Sequence, residues 1–152
     1  MRLSENLPII GWREWVSLPD LGIAEVKAKI DTGARSSTLH AFDIEKFRCN
    51  GKQMVRFKVH PYQNNIIQSV GAEAELIEER YVRNSGGQTE LRPTVRTVVE
   101  LLGEKWPIDL TLTNRDLMRF RMLLGRQAVS QRFLVNPAKS FFSRRSVSES
   151  AK

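Results

Sequence analysis

One segment of the chain, residues 23–34, reads Ile-Ala-Glu-Val-Lys-Ala-Lys-Ile-Asp-Thr-Gly-Ala. From Ala24 onward the residues alternate, with Ala24, Val26, Ala28 and Ile30 on one side and the charged residues Glu25, Lys27 and Lys29 on the other. A period of two is typical of a β-strand that is buried on one face. The segment therefore predicts a half-buried strand that ends where the alternation stops, at Asp31.

The three residues after this strand form the most informative motif, Asp31-Thr32-Gly33. A carboxyl group at the end of a buried strand is costly unless it is hydrogen-bonded or has a function. The glycine permits a tight turn and the close approach of another backbone. Average residue frequencies give roughly 0.03 such tripeptides in a chain of this length, so the motif alone is moderately specific. An ordinary strand-ending turn is the competing interpretation.

A second motif, Leu123-Leu124-Gly125-Arg126, lies about ninety residues further along the chain. It leads into residues 126–131, which form the best short helix in the sequence. Two apolar residues before a glycine are common, so this motif carries weight only together with Asp-Thr-Gly.

The remaining segments predict short strands separated by turn residues. One hairpin has a glycine-rich tip, made of Asn84, Ser85, Gly86, Gly87 and Gln88. Many short strands with a single short helix favour an all-β fold, a small barrel or sandwich. We expect one domain over residues 1–137, followed by a flexible tail over residues 138–152 that is rich in serine and basic residues.

Composition narrows the classes of function. The 152 residues carry 24 Lys or Arg against 17 Asp or Glu, for a net charge of +7. Such a charge favours anionic partners. The single cysteine, Cys49, excludes an intrachain disulfide and favours a reducing cytoplasm. No apolar run is long enough to span a membrane or to resemble a secretion signal, so we expect no membrane association.

The two motifs, in this order, resemble those of retropepsin-type aspartic proteases. Longer blocks resemble a bacterial retropepsin-like family, the RimK-associated, RimB-like proteins that are often labelled ATP-dependent zinc proteases. The blocks are residues 29–41, Arg92-Pro93, residues 112–115 and residues 120–126. The resemblance implies a small closed retropepsin-like barrel.

The same resemblance assigns roles to individual residues. Asp31 matches the catalytic aspartate, which Thr32, Gly33 and Ala34 accompany, and the loop that supports them matches Leu123, Leu124, Gly125 and Arg126. The tip at residues 84–88 matches the flap that closes over substrate. The chain departs from viral retropepsins at Arg35, where those proteins have an acid that pairs with the arginine matching Arg126.

Aspartic catalysis needs two carboxylates, and the chain has one Asp-Thr-Gly, so we expect a homodimer that hydrolyses peptide bonds with one Asp31 from each subunit. We expect no cofactor and no metal site, because zinc catalysis needs three ligands and the only histidines are His40 and His60. The sequence also has no phosphate-binding loop.

Two alternatives remain open. In the first, the chain is a catalytically silent module that binds a peptide and acts with a RimK-type ATP-grasp ligase or a ribosomal protein. In the second, it is a basic barrel that binds RNA. We favour a protein or peptide partner over nucleic acid, because no single basic stripe is evident.

Overall fold

The computed structural model describes residues 6–62, 69–83, 86–114 and 119–144. Asn84 and Ser85, at the predicted flap tip, lie outside these residues. The strands are β1 (Ile9–Gly11), β2 (Arg13–Leu18), β3 (Ile23–Asp31), β4 (Ser37–His40), β5 (Phe42–Cys49), β6 (Lys52–Val59), β7 (Val70–Arg83), β8 (Thr89–Leu101), β9 (Glu104–Thr113), β10 (Met122–Gly125) and β11 (Leu134–Asn136). The α-helix in the described ranges is α1 (Arg126–Val129), and 3-10 turns lie at Pro19–Leu21 and Phe142–Arg144.

Six of these strands close into a barrel in the order β2-β3-β10-β4-β9-β8. The closing contact pairs Ser17 of β2 with Glu100 of β8. Strands β7, β6 and β5 continue the sheet outward from β8, and β1 pairs in parallel with β11 as a separate ribbon. This confirms the predicted all-β class, the closed barrel and the short helix at residue 126.

The barrel is filled by apolar side chains from all six strands. Val26, Leu39, Leu110, Met122 and Leu124 are each fully buried. Because β10 supplies two of them, a strand of only four residues contributes strongly to the core. None of the helices in the described ranges has the length and apolar content needed to cross a lipid bilayer.

Strand β3 follows the predicted alternation over its second half only. Val26, Ala28 and Ile30 are buried as expected, whereas Ala24 is exposed and Ile23 is buried instead. The pairing with β2 shifts register between Val16 and Leu18, so the first residues of β3 are turned to the other face. A bulge of this kind inverts which residues face the core.

Residues 73–79, which include four glutamates, are part of the long strand β7, although the sequence pattern does not predict a strand there. Ala72 and Ala74 are buried, while Glu73 and Glu75 face solvent. On that exposed face, Glu73 pairs with Arg56 of β6 at 2.9 Å. The alternation of small and acidic residues was the available signal, but alanine has a low strand propensity and conceals it.

The boundary predicted after residue 137 needs correction, because the chain stays attached to the barrel for seven residues more. The Lys139 carbonyl accepts the Trp12 N–H at 2.9 Å, and the Phe141 N–H donates to the Arg13 carbonyl at 3.0 Å. The Arg13 guanidinium lies over the Phe141 ring, 4.8 Å from its centroid. Residues 145–152, the rest of the predicted tail, lie outside the described residues.

A buried carboxylate, Glu14, anchors this C-terminal segment. It is fully buried and accepts the Gly11 N–H at 2.8 Å, the Phe142 N–H at 2.9 Å and the Ser143 N–H at 3.0 Å. The Ser143 hydroxyl donates to it as well, at 2.8 Å. Four donors around one carboxylate satisfy a group that would otherwise be very costly to bury.

We predict that Glu14→Gln destabilises the fold, because the new amide would place N–H donors against N–H donors. Hydrogen bonds to a charged group contribute about 1.5–3 kcal/mol, so the free energy of unfolding should fall by about 2 kcal/mol or more. The matched control is Glu45→Gln, which changes an exposed carboxyl on β5. Thermal unfolding of both variants checks this, and equal melting temperatures would contradict the anchoring role.

Candidate functional site

Asp31 is the last residue of β3 and begins a tight turn at the edge of the barrel. Its Oδ1 accepts the Gly33 N–H at 3.1 Å and the Ala34 N–H at 3.2 Å. The side chain is half-buried, whereas Thr32 and Gly33 are exposed. Two backbone donors thus fix the orientation of the carboxyl group at a surface that another molecule can reach.

Strand β10, part of the barrel wall, lies next to this turn and supports it. It lies between β3, to which it is parallel, and β4, to which it is antiparallel, and its Gly125 is in register with Asp31. Beyond Gly125, the Arg126 N–H donates to the Ala34 carbonyl at 2.7 Å. The sequence places these two motifs about ninety residues apart, and the structure brings them into direct contact.

Gly125 occupies a position where a side chain has no room. A Cβ there would lie 2.5 Å from the Ser36 carbonyl oxygen and 3.0 Å from the Ala34 carbonyl oxygen. Its N–H donates to the buried Ser37 hydroxyl oxygen at 3.0 Å. Sequence analysis missed Ser37 as a supporting residue, although it lies in the same block as Asp31.

Arg126 reaches back to the turn with its side chain, and its Nη1 donates to the Thr32 carbonyl at 3.2 Å. Arg35, the departure from the viral pattern, is exposed, and its carbonyl accepts the Gln127 N–H at 3.1 Å. Backbone hydrogen bonds therefore hold helix α1 against the turn. Residues 35 and 126 are both arginines, so they cannot form an ion pair with each other.

The hairpin of β7 and β8 contacts the same turn from its other side. Arg80 of β7 donates from Nη1 to the Ser36 hydroxyl at 3.3 Å, and it is in register with Arg92 of β8. Arg80 pairs with Glu78, and Arg92 donates to Glu90 at 2.7 Å. Both arginines are half-buried, so the hairpin presents two cations on its inner face.

The part of the predicted flap that the structure describes, residues 86–88, lies at the tip of this hairpin. Gly87 has a φ of +83°, which a residue with a side chain rarely adopts. The tip is placed by Arg83 and Thr89, which are the last paired residues of its two strands.

An apolar cavity of about 690 Å³ adjoins the turn on the side of α1. It is bordered by Thr32 and Arg126, and its apolar lining includes Leu7, Val129 and Phe133. Most of its wall comes from the segment between α1 and β11 and from the residues that flank them.

Among the described residues, no group of three or more His, Cys, Asp and Glu side chains is arranged to hold a metal ion. His40 is buried in β4, and His60 stacks on Phe42 with ring centroids 4.5 Å apart. Cys49 is exposed at the end of β5.

A family model described as RimB-like, the retropepsin-like aspartic endopeptidase RimB, matches residues 9–146. The chain belongs to the RimB-like family. The match extends past residue 137, in agreement with the C-terminal segment that packs on Glu14.

Curated relatives of this RimB-like chain are longer proteins. One from Shewanella pealeana, named probable alpha-L-glutamate ligase, is 42% identical over 139 residues, which are 91% of this chain and 30% of the relative. One with the same name from Parasynechococcus marenigrum is 48% identical over 132 residues, 87% of this chain and 28% of the relative. The chain thus spans less than a third of these relatives.

A solved structure shares the fold. The crystal structure of a protein of unknown function (DUF785) from Legionella pneumophila superposes with a TM-score of 0.77. It is 29% identical in sequence, and the match covers 90% of this chain and 98% of the other.

We predict that Gly125→Ala strongly destabilises this RimB-like barrel, because the neighbours that it would meet are backbone atoms of the Asp31 turn. Overpacking of this kind costs about 1–3 kcal/mol, and relief here would require moving the turn itself. Gly71→Ala on β7 is the control, since no atom lies within 4 Å of its added Cβ. Chemical denaturation of both variants measures the difference, and equal stability would show that the turn gives way easily.

Proposed function

We propose that the chain is an aspartic endopeptidase in which the Asp31 carboxyls of two subunits form the catalytic pair. The observation that carries the proposal is the Asp31 turn, in which two backbone N–H groups hold Oδ1 while Thr32 and Gly33 stay exposed. Membership of a family described as aspartic endopeptidases supports it.

The second carboxylate has to come from another subunit. Of the other aspartates, Asp109 is paired with Arg96 at 3.0 Å and Asp43 lies 3.5 Å from Lys58. Asp20 sits in a 3-10 turn, and Asp116 lies outside the described residues. In a dimer with a two-fold axis beside the Asp31 turn, rotation about the axis places an identical carboxyl opposite the first.

The reaction follows from two carboxyls in contact, because both cannot be ionised and they share one proton. The ionised carboxylate takes a proton from a water molecule, whose oxygen attacks the peptide carbonyl carbon. The protonated carboxyl donates its proton to the carbonyl oxygen. The tetrahedral intermediate then breaks its C–N bond as a proton passes to the leaving nitrogen. No metal takes part in these steps.

We further propose that the substrate is a peptide rich in glutamate and that the chain acts beside a RimK-type ligase. The relatives that contain this domain are named alpha-L-glutamate ligases, and this chain has a net charge of +7. Arg80 and Arg126 lie against the Asp31 turn, where they can attract carboxylates of a bound peptide.

The sharpest test uses mixed dimers. Wild type and Asp31→Asn are refolded together in equal amounts, so that about one quarter of the dimers carry two Asp31 carboxyls. Cleavage of oligo-α-glutamate per total protein should fall to about one quarter of the wild-type value. A value near one half would mean that each chain works alone, which would refute the shared pair.

Two controls accompany this experiment. Asp20→Asn, an equal change at an exposed aspartate, should leave cleavage intact. A chelator should also leave it intact, and loss of activity that zinc restores would overturn the aspartic mechanism. If wild type never cleaves but binds the peptide as well as Asp31→Asn does, the chain is the silent binding module that the ligase names of its relatives also support.

A further inference from the structure

The strand that ends in Asp31 carries a second polar side chain on the same face. Along β3, Ala28 and Ile30 are buried while Lys29 is exposed and Asp31 is half-exposed, so Lys29 and Asp31 share the outer face. Residues two apart on one face of a strand are separated by about 6.6 Å. Lys29 is therefore the position nearest to Asp31 on the outer face of their common strand.

The neighbouring strand extends this face. Leu123 of β10 is in register with Lys29, and it is half-exposed between the buried Met122 and Leu124. Arg121, two residues before Leu123, is half-buried like Leu123 and continues the alternation of exposed and buried residues along β10. Its carbonyl accepts the His40 N–H of β4 at 2.8 Å, so the pairing with β4 includes it. Lys29, Leu123 and Arg121 thus lie side by side on the face that carries Asp31.

Both cations lack a carboxylate partner in the described part of the chain. The ion pairs between described residues involve neither Lys29 nor Arg121. The Arg121 Nε is in addition buried without a hydrogen-bond acceptor among those residues. A buried donor without an acceptor is uncommon in folded proteins and is costly to leave unsatisfied.

We propose that Lys29, which lies beside Leu123 on the neighbouring strand, and Arg121, two residues before Leu123, form the subsite that selects an acidic side chain next to the cleaved bond. The methylene groups of a glutamate side chain pack on Leu123 while its carboxylate pairs with the two cations. This inference rests on the proposed peptidase function, and it assigns to that function the residues that determine its specificity.

The first test measures binding alone, in the Asp31→Asn protein, which should bind a peptide without cleaving it. The probes are fluorescently labelled hexa-α-glutamate and hexaglutamine, and the readout is fluorescence anisotropy. Lys29→Glu should weaken binding of the glutamate peptide about tenfold and leave the glutamine peptide unchanged, since one charge-assisted contact is replaced by repulsion.

The matched control is Lys105→Glu, which makes the same change of charge at an exposed position near the start of β9. It should alter binding less than twofold. If Lys105→Glu weakens glutamate binding as much as Lys29→Glu, the attraction is a long-range effect of net charge and the subsite is overturned. The subsite is equally overturned if Lys29→Glu has no effect.

The second test measures cleavage of peptides that differ only by Glu or Lys beside the scissile bond. Lys29→Glu should shift the ratio of their kcat/KM values at least tenfold toward the Lys peptide. Arg121→Met should reduce the preference for the Glu peptide, whereas Arg121→Lys, which keeps the positive charge, should retain it. Unchanged ratios would refute the subsite in an active enzyme. If wild type cleaves neither peptide, the peptidase proposal fails, and the binding measurements still decide whether Lys29 selects glutamate.

Discussion

The contact between Gly125 and the backbone of Ser36 is the constraint on which the rest of the site depends. Strand β10 can lie between β3 and β4 only if its last residue carries no side chain, since a Cβ would lie 2.5 Å from the Ser36 oxygen. That placement brings Leu124 into the core and Arg126 against the Asp31 turn. The position of the carboxyl thus follows from a close approach of two backbones.

Local patterns predicted the parts of the molecule that depend on near neighbours in sequence. The alternation before Asp31 predicted β3. The Leu-Leu-Gly-Arg motif singled out residues 123–126 as a supporting loop, and the structure has Met122–Gly125 as strand β10. The bulge that turns Ile23 inward could not be predicted, because it arises from pairing with β2. The burial of Glu14 was hidden for the same reason, since two of its donors come from Phe142 and Ser143, far along the chain.

The site residues divide along the same line. Asp31, Leu124, Gly125 and Arg126 could be singled out because each belongs to a motif with a local signature. Ser37 and Arg80 were missed, because their roles exist only once the strands are paired. The sequence pattern shows Lys29 as an outward-facing charge. Only the pairing of β3 with β10 shows that Lys29 lies beside Leu123 on the face that carries Asp31.

The two sides of the site are held with different strength. Below Asp31, the turn is fixed by backbone hydrogen bonds to Arg126 and Gln127 and by the buried Ser37 hydroxyl. On the opposite side, the described part of the hairpin contacts the turn through a side-chain hydrogen bond from Arg80 to Ser36, between half-buried groups. A hydrogen bond that involves a charged group contributes about 1.5–3 kcal/mol, and a carboxylate in place of the Ser36 hydroxyl would give Arg80 an equally strong or stronger acceptor. The Asp31 carboxyl is therefore held more firmly than the described part of the hairpin is held against its turn.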